Sequence, residues 1–463
     1  MGLAGSDPRA KIVPESPTSA IAYLRLQDRE GILYEAVANE EFHHALLRMI
    51  ARGRSRKMDG GYVLAHRGSK FATMLAGKTL SIPSQVLAGE QSNTSIIYKD
   101  TFFLKLYRRV EEGTNPDLEL SRHLTEDAGF GNLPAYAGSI EWQREGAGPM
   151  TIALLLQLVS NQSDAWSFAL DNLDHSLSHA LTLKNKLESP PELPASVLQI
   201  DPESIPQVIR DFIGPVYAEM MSLLGRRTGE LHLALMSLAQ DPELSPEPFS
   251  LLYQKSLYQS IRGLTLKVFS ELEGSLRSLD QPTADAVKGV LANRKTILNR
   301  LRRIIDKKIQ AMKIRIHGDY HLGQVLYTGK DFVIIDFEGE PNRPITERRL
   351  KQSALRDVAG MVRSFHYVAQ GSLISGVAKQ GVEIDYLRHW ADLWYFYVSG
   401  IFLHSYMKTV AGSQVVPTEK GDFAALFETF ILEKAVYELG YELSHRPNWL
   451  MIPVRGIEQI LRV

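Results

Sequence analysis

A short Asp- and Gly-rich island set between long helical stretches constrains this chain more than any other feature. It reads His317-Gly318-Asp319-Tyr320-His321-Leu322-Gly323-Gln324, then Val333-Ile334-Ile335-Asp336-Phe337-Glu338. Strand-like runs flank a Thr328-Gly329-Lys330-Asp331 turn, which predicts a small hairpin. Gln324 follows Asp319 by five residues and Asp336 follows Gln324 by twelve. That spacing puts one carboxylate on a tight loop and a second at a strand end, with an amide between them.

The rest of the chain sorts around this island. Up to about residue 160 the pattern is mostly β, with one helical piece over residues 39–51. Its clearest hairpin is Ser95-Ile96-Ile97-Tyr98, a Lys99-Asp100 turn and an aromatic return strand. Beyond residue 161 the periodicity predicts helices over residues 164–185, 206–238, 247–279, 283–312 and 353–444. A β-rich N-terminal part and a helical C-terminal part describe a bilobal α+β protein, for which a site in the cleft between lobes is the expectation.

Composition removes several classes. The 463 residues include no cysteine, which excludes a disulfide framework, a thiolate nucleophile and a Cys-ligated metal centre. A formal net charge of -1 argues against nucleic-acid or membrane binding through bulk charge. No run reaches the length of a membrane span, and the N-terminus lacks a charged region followed by an apolar one, so a cytoplasmic protein is expected. No Walker A pattern occurs.

The island's residues fit phosphoryl transfer from ATP. One Asp orients and deprotonates the attacking hydroxyl, while an Asp and an amide oxygen hold Mg²⁺ against the phosphates. The protein kinase pattern has the same order and nearly the same spacing, with Asn where this chain has Gln324. His317 and His321 could suggest a metal pair, but glycines at 318 and 323 make this a loop and no third ligand is evident. Asp357 resembles the acidic residue that supports the catalytic loop in small-molecule kinases of the aminoglycoside phosphotransferase type.

Such a site also needs a fixed cation on the phosphates. Alternation along Phe103-Leu104-Lys105-Leu106-Tyr107 puts Lys105 opposite Leu104 and Leu106, where it needs a partner. Asn115-Pro116 opens a helix carrying Glu119, the expected partner. Ser92 and Thr94 are the candidate phosphate contacts of a loop over residues 88–95. Gln157 and Val159 end an apolar strand where backbone groups would pair with adenine. Toward the C-terminus, Lys434, Tyr437, Glu438 and Tyr441 share one helix face and suit a sugar.

Several blocks resemble the maltokinases, including the kinase half of fused trehalose synthase–maltokinase proteins. They are residues 317–324, Asp336-Phe337-Glu338-Gly339-Glu340-Pro341, residues 357–365, residues 433–442 and Arg446-Pro447-Asn448-Trp449. The resemblance spans roughly residues 85–463, and its 336–365 block is specific to this family rather than to kinases at large. It implies a protein-kinase-like fold with an extra N-terminal cap over residues 1–85, a nucleotide-binding lobe over 86–160 and a helical lobe over 161–463. It implies transfer of the ATP γ-phosphate to the anomeric hydroxyl of maltose, for α-glucan synthesis. Carried over by position, Asp319 is the base, Gln324 and Asp336 the Mg²⁺ ligands, Lys105 the phosphate ligand and Glu119 its orienting partner. His321 faces the γ-phosphate or the sugar, Lys434, Tyr437, Glu438 and Tyr441 face the sugar, and Asp357 and His317 support the loop. The alternatives are a kinase for another sugar such as glucosamine, which would demand an extra carboxylate, and a non-catalytic module docking on trehalose synthase.

Overall fold

The computed structural model describes residues 2–3, 19–26, 29–87, 93–184, 189–375 and 384–462. The chain divides into two compact units. One comprises Met1–Asp127, Leu133–Ser160 and Arg343–Glu347, the other Ala128–Asn132, Asn161–Asn342 and Arg348–Val463.

The first unit is built on β-structure. Strands β1 (Gly2–Leu3), β2 (Ala20–Leu26) and β3 (Arg29–Tyr34) form a small antiparallel sheet in the order β1-β3-β2. Helix α1 (Glu40–Arg52) follows, capped by the Asn39 side chain. A seven-stranded antiparallel sheet runs β4-β5-β9-β10-β8-β7-β6. Its members are β4 (Arg56–Met58), β5 (Gly61–Arg67), β6 (Ser84–Val86), β7 (Thr94–Tyr98), β8 (Phe102–Leu106), β9 (Tyr136–Arg144) and β10 (Pro149–Gln157). Strands β4 and β5 come from the segment expected as a cap, yet β5 pairs with β9 along its whole length. The expected hairpin is β7–β8, in register Tyr98↔Phe102.

Alternation gives the sheet two apolar faces. Ile96, Tyr98, Phe102, Leu104, Ala153 and Leu155 pack with Leu46, Leu47 and Ile50 of α1. Tyr107, Tyr136, Leu154 and Leu156 form a second cluster with Leu118. Leu118 belongs to α2 (Pro116–Glu126), which begins with Asn115 as N-cap and Pro116 in the first turn, as the sequence predicts.

The second unit is helical: α3 (Ala165–Leu183), α4 (Gln207–Ile213), α5 (Pro215–Ser237), α6 (Leu251–Ser275), α7 (Gln281–Ala292), α8 (Arg294–Arg302), α9 (Leu355–Ser375), α10 (Ile384–Val410), α11 (Lys420–His445) and α12 (Met451–Leu461). The expected helix over 206–238 is broken at Gly214, whose φ of 84° lies outside the helical region, and Pro215 opens the next helix. The expected helix over 283–312 is interrupted at Asn293 and ends near residue 302. Helix α6 starts only after Ser250 caps it, because Glu247–Pro248 pairs instead with Met312–Lys313. The last helical stretch, expected to end at residue 444, stops at His445, just ahead of Pro447. The predicted island hairpin forms as β14 (Val325–Tyr327) and β15 (Phe332–Ile334), joined by β11 (Ser163–Asp164) at one edge; β12 and β13 are the Glu247–Pro248 and Met312–Lys313 pair. Among the described residues, no helix is long and apolar enough to cross a membrane.

Candidate active site

In the helical unit the loop carrying Asp319 hangs from one buried carboxylate. Asp357, in the first turn of α9, accepts the backbone N–H of His317 (2.8 Å) and of Gly318 (2.9 Å). It also accepts from His232 Nε2 on α5 at 3.2 Å. Tyr406 of α10 completes the chain, its hydroxyl 3.0 Å from His232 Nδ1. With Tyr406 donating to Nδ1, the imidazole tautomer protonated at Nε2 leaves no donor or acceptor in this row unpaired. Burial alone would push the Asp357 carboxyl up, yet the His232 contact, the nearby His317 and the Gly318 N–H hold it below its usual value. His317 in turn bonds the Ile335 carbonyl at 2.9 Å, tying the loop to the end of β15.

The same face of α9 holds the rest of the loop. Ser364 Oγ accepts the Leu322 N–H at 3.2 Å, and Gly360 brings the helix against the Tyr320 carbonyl. A Cβ on Gly360 would stand 2.6 Å from that oxygen. Gly360→Ala is therefore expected to cost about 1–3 kcal/mol through overpacking and to lower turnover more than nucleotide affinity. Chemical denaturation with parallel kinetics checks this; an unchanged unfolding midpoint would contradict the close approach. Gly318 has φ 86°, a conformation that suits glycine.

The hairpin then assembles the proposed metal ligands. Val325 pairs with Ile334, so Gln324 lies opposite Ile335 and next to Asp336, and its Nε2 donates to Asp336 Oδ2 at 2.9 Å. Asp336 has φ 68°, a left-handed backbone in a non-glycine residue. Such strain, of order 1–3 kcal/mol, concentrates at functional positions. The carboxylates of Asp336 and Glu338 offer oxygens within 4.8 Å of each other. Two carboxylates and an amide, all hard oxygen donors, suit a divalent cation of the Mg²⁺ class. Glu338 was not singled out from the sequence, although the Asp-x-Glu spacing was visible there.

Asp319 and His321 open onto a cavity of about 560 Å³. His321 Nδ1 accepts the Gly323 N–H at 3.1 Å, so its proton sits on Nε2, 3.9 Å from Asp319 Oδ2. Burial holds this imidazole below its usual pKa, which keeps it neutral at pH 7. All four residues expected to face a sugar, Lys434, Tyr437, Glu438 and Tyr441, line the same cavity. The Lys434 ammonium lies 3.8 Å from Asp319 Oδ1 and 5.2 Å from the Tyr437 ring centre. Glu438 is held from behind by buried Arg363, at 2.6 Å, and Glu442 binds Tyr367 and Arg446. Trp166, Glu340, Glu442 and Trp449 also line the cavity and were not read as site residues. They sit in other elements or outside the i, i+3, i+4, i+7 pattern that drew attention to the helix face.

In the β-rich unit Lys105 faces the α2 side of the sheet, opposite Leu154. Its ammonium pairs with Asp117 Oδ2 at 2.6 Å, and Asp117 is fully buried. The expected partner was Glu119, two residues further on. Asp117, in the first turn of α2, thus meets Lys105 ahead of that expected partner. Glu119 is buried on the same helix. Thr94 Oγ1 accepts from Arg108 Nε at 3.0 Å, and Ser92 lies outside the described residues. Gln157 and Val159 stand at and just past the end of β10, where the N–H of Gln157 bonds the Ala135 carbonyl at 2.9 Å.

No family model matches the chain. It is 22% identical to a glucosamine kinase of Mycolicibacterium smegmatis, over 98% of this chain and 96% of that protein. It is also 22% identical to a glucosamine kinase of Streptacidiphilus jiangxiensis, over 80% of this chain and 72% of the relative. Among solved structures, a glucosamine kinase in complex with glucosamine, ADP and inorganic phosphate matches with a TM-score of 0.64 at 18% identity, covering 95% of this chain and 87% of that one. A second crystal form of glucosamine kinase gives 0.65 at 18% identity with the same coverage. The fold is thus the kinase-like α+β fold of those proteins, and a kinase-like phosphotransferase is the coarse reading that these likenesses support.

Proposed function

We propose that the chain is an ATP- and Mg²⁺-dependent kinase that phosphorylates a hydroxyl of an amino sugar of the glucosamine class. One observation carries the choice of acceptor. The cavity that Asp319 enters is lined by four carboxylates, Asp319, Glu340, Glu438 and Glu442, against the cations of Lys434 and Arg446 and of Arg363 behind Glu438. An acceptor bearing an ammonium group finds an excess of negative charge there, and Trp166, Tyr437, Tyr441 and Trp449 supply ring faces for a pyranose. The relatives named glucosamine kinase support the same acceptor.

In this reading Asp319 accepts the proton of the attacking hydroxyl, which the loop holds in place through Asp357. Gln324 and Asp336, with Glu338 beside them, would hold the cation. A bound divalent ion neutralises charge on the phosphates. Lys105, fixed by Asp117, is the phosphate-binding cation.

The second reading is maltose, favoured by the maltokinase-like 433–442 block, whose Lys434, Tyr437, Glu438 and Tyr441 line the cavity. Association with a trehalose synthase belongs with that reading. The test is ADP release from ATP-Mg²⁺ with glucosamine, glucose, maltose, trehalose and maltotriose offered separately. Glucosamine is expected to be turned over with a kcat/KM at least tenfold above glucose. Turnover on maltose alone would replace the acceptor and keep the mechanism. Silence on all five sugars, from folded protein that binds ATP-Mg²⁺, would defeat the kinase reading in favour of a binding module.

A further inference from the structure

Phosphoryl transfer onto a hydroxyl passes through a stage in which the base, the acceptor oxygen and the transferring group all carry negative charge within a few ångströms. Among the described residues, two basic groups face the Asp319 carboxylate at under 4 Å, His321 and Lys434. The imidazole is neutral, since its Nδ1 takes the Gly323 N–H and burial lowers its proton affinity. The ammonium is different. Burial works against its charge, but Asp319, Glu340, Glu438 and the Tyr437 ring outweigh that and raise its pKa.

The distance is informative. At 3.8 Å the Lys434–Asp319 pair is too long for a direct hydrogen bond, so ammonium N–H groups remain to meet a third oxygen beside the carboxylate. Lys434 also differs from its neighbours on α11. Glu438 is engaged by Arg363 behind the cavity wall, and Tyr441 lies 4.5 Å from the His445 ring in a stacked pair. Lys434 alone of the four expected sugar contacts is paired with the proposed base.

We propose that Lys434 is a catalytic residue of the transfer step, contacting the acceptor oxygen while Asp319 takes its proton, rather than a ligand of the sugar's other hydroxyls. The inference rests on the kinase reading above. The acceptor O–H bond breaks with its proton passing to Asp319, and the new bond forms between that oxygen and the γ-phosphorus. The bond from the γ-phosphorus to the bridging oxygen breaks, and ADP leaves with the electron pair. Lys434 keeps its protons throughout and offsets the charge that builds on the acceptor oxygen.

Lys434→Met and Lys434→Gln are the test variants, each checked for an unchanged unfolding midpoint. Steady-state kinetics on the sugar that wild-type protein turns over are expected to show kcat lowered 10²–10³-fold, of the order found for charge-stabilising groups, with the sugar KM within threefold. Lys434→Arg, which keeps the charge, is expected to regain at least tenfold of the lost kcat. A second readout needs no turnover. Nitrogen-15 NMR of the Lys434 ammonium should show its titration midpoint move to lower pH in Asp319→Asn, because losing a neighbouring carboxylate disfavours the charged ammonium. The other charged and titratable groups near this pair, His317, His321, Asp336, Glu340 and Glu438, are the same in every variant. A raised KM with kcat intact would make Lys434 a sugar ligand and overturn the proposal, as would an unmoved Lys434 midpoint in Asp319→Asn. Wild-type protein inactive on every sugar would instead strike the kinase reading, while the NMR titration would still decide the pairing.

Discussion

Asp319→Asn is expected to lower kcat by about 10³-fold, within the 10²–10⁴ range of general-base contributions, and to leave the affinity for ATP-Mg²⁺ within threefold. The substitution preserves size and the backbone bonds that seat the loop, since those run from His317 and Gly318 to Asp357 and not through the Asp319 side chain. It removes the oxygen that faces Lys434 at 3.8 Å as an anion and with it the proton acceptor. Single-turnover phosphate transfer and calorimetric nucleotide binding separate the two effects. A loss of less than tenfold would mean that another group takes the proton, and parallel loss of nucleotide binding would mean that Asp319 holds the metal instead.

The second large effect is on stability. Asp357 accepts three N–H groups, from His317, Gly318 and His232, in a fully buried position. Asp357→Ala leaves those donors without a partner and is expected to destabilise the helical unit by about 3–5 kcal/mol. Asp357→Asn, with one acceptor oxygen and an amide turned toward a donor, should recover little of this. The pH dependence has a definite sign. The folded-state pKa of Asp357 is held below its unfolded value, so its stabilisation is fully present above the usual carboxylate range near pH 4. It is lost as pH falls through the folded value. The gap in urea midpoint between wild type and Asp357→Ala should therefore be constant from pH 6 to 8 and narrow only in acid. A gap that varied around neutrality, or that converts to a stability difference under about 1 kcal/mol, would mean that the loop is carried by other contacts.

Much of the candidate site's geometry was legible because its residues are spaced by local structure. The five residues from Asp319 to Gln324 are one loop and a single turn of helix, and the twelve from Gln324 to Asp336 are one hairpin. The N-cap and Pro that open α2, and the shared face of Lys434, Tyr437, Glu438 and Tyr441, are likewise one-element properties that a period of 3.6 or 2 discloses. The proposed acceptor was less legible, because the charges on which it rests come from separate elements. Glu340 follows the hairpin, Asp319 sits on the loop, and Glu438 and Glu442 ride on α11. Only the cavity that gathers them makes an excess of negative charge.

By itself, then, the sequence determined the β-then-helical order of the chain and the loop and hairpin that carry Asp319, Gln324 and Asp336, since each depends on contacts a few residues apart. The tertiary structure decided which partners those residues find. It brought Asp117 to Lys105, a carboxylate that the alternation of β8 did not point to. It set His232 and Tyr406 behind Asp357 and swung the Lys434 ammonium toward Asp319. The last three pairings join residues 115 to 174 positions apart, for example His232 with Asp357 at a separation of 125 and with Tyr406 at 174. A buried charge or donor must be satisfied by whatever group packing brings near, and no periodicity along the chain encodes that choice.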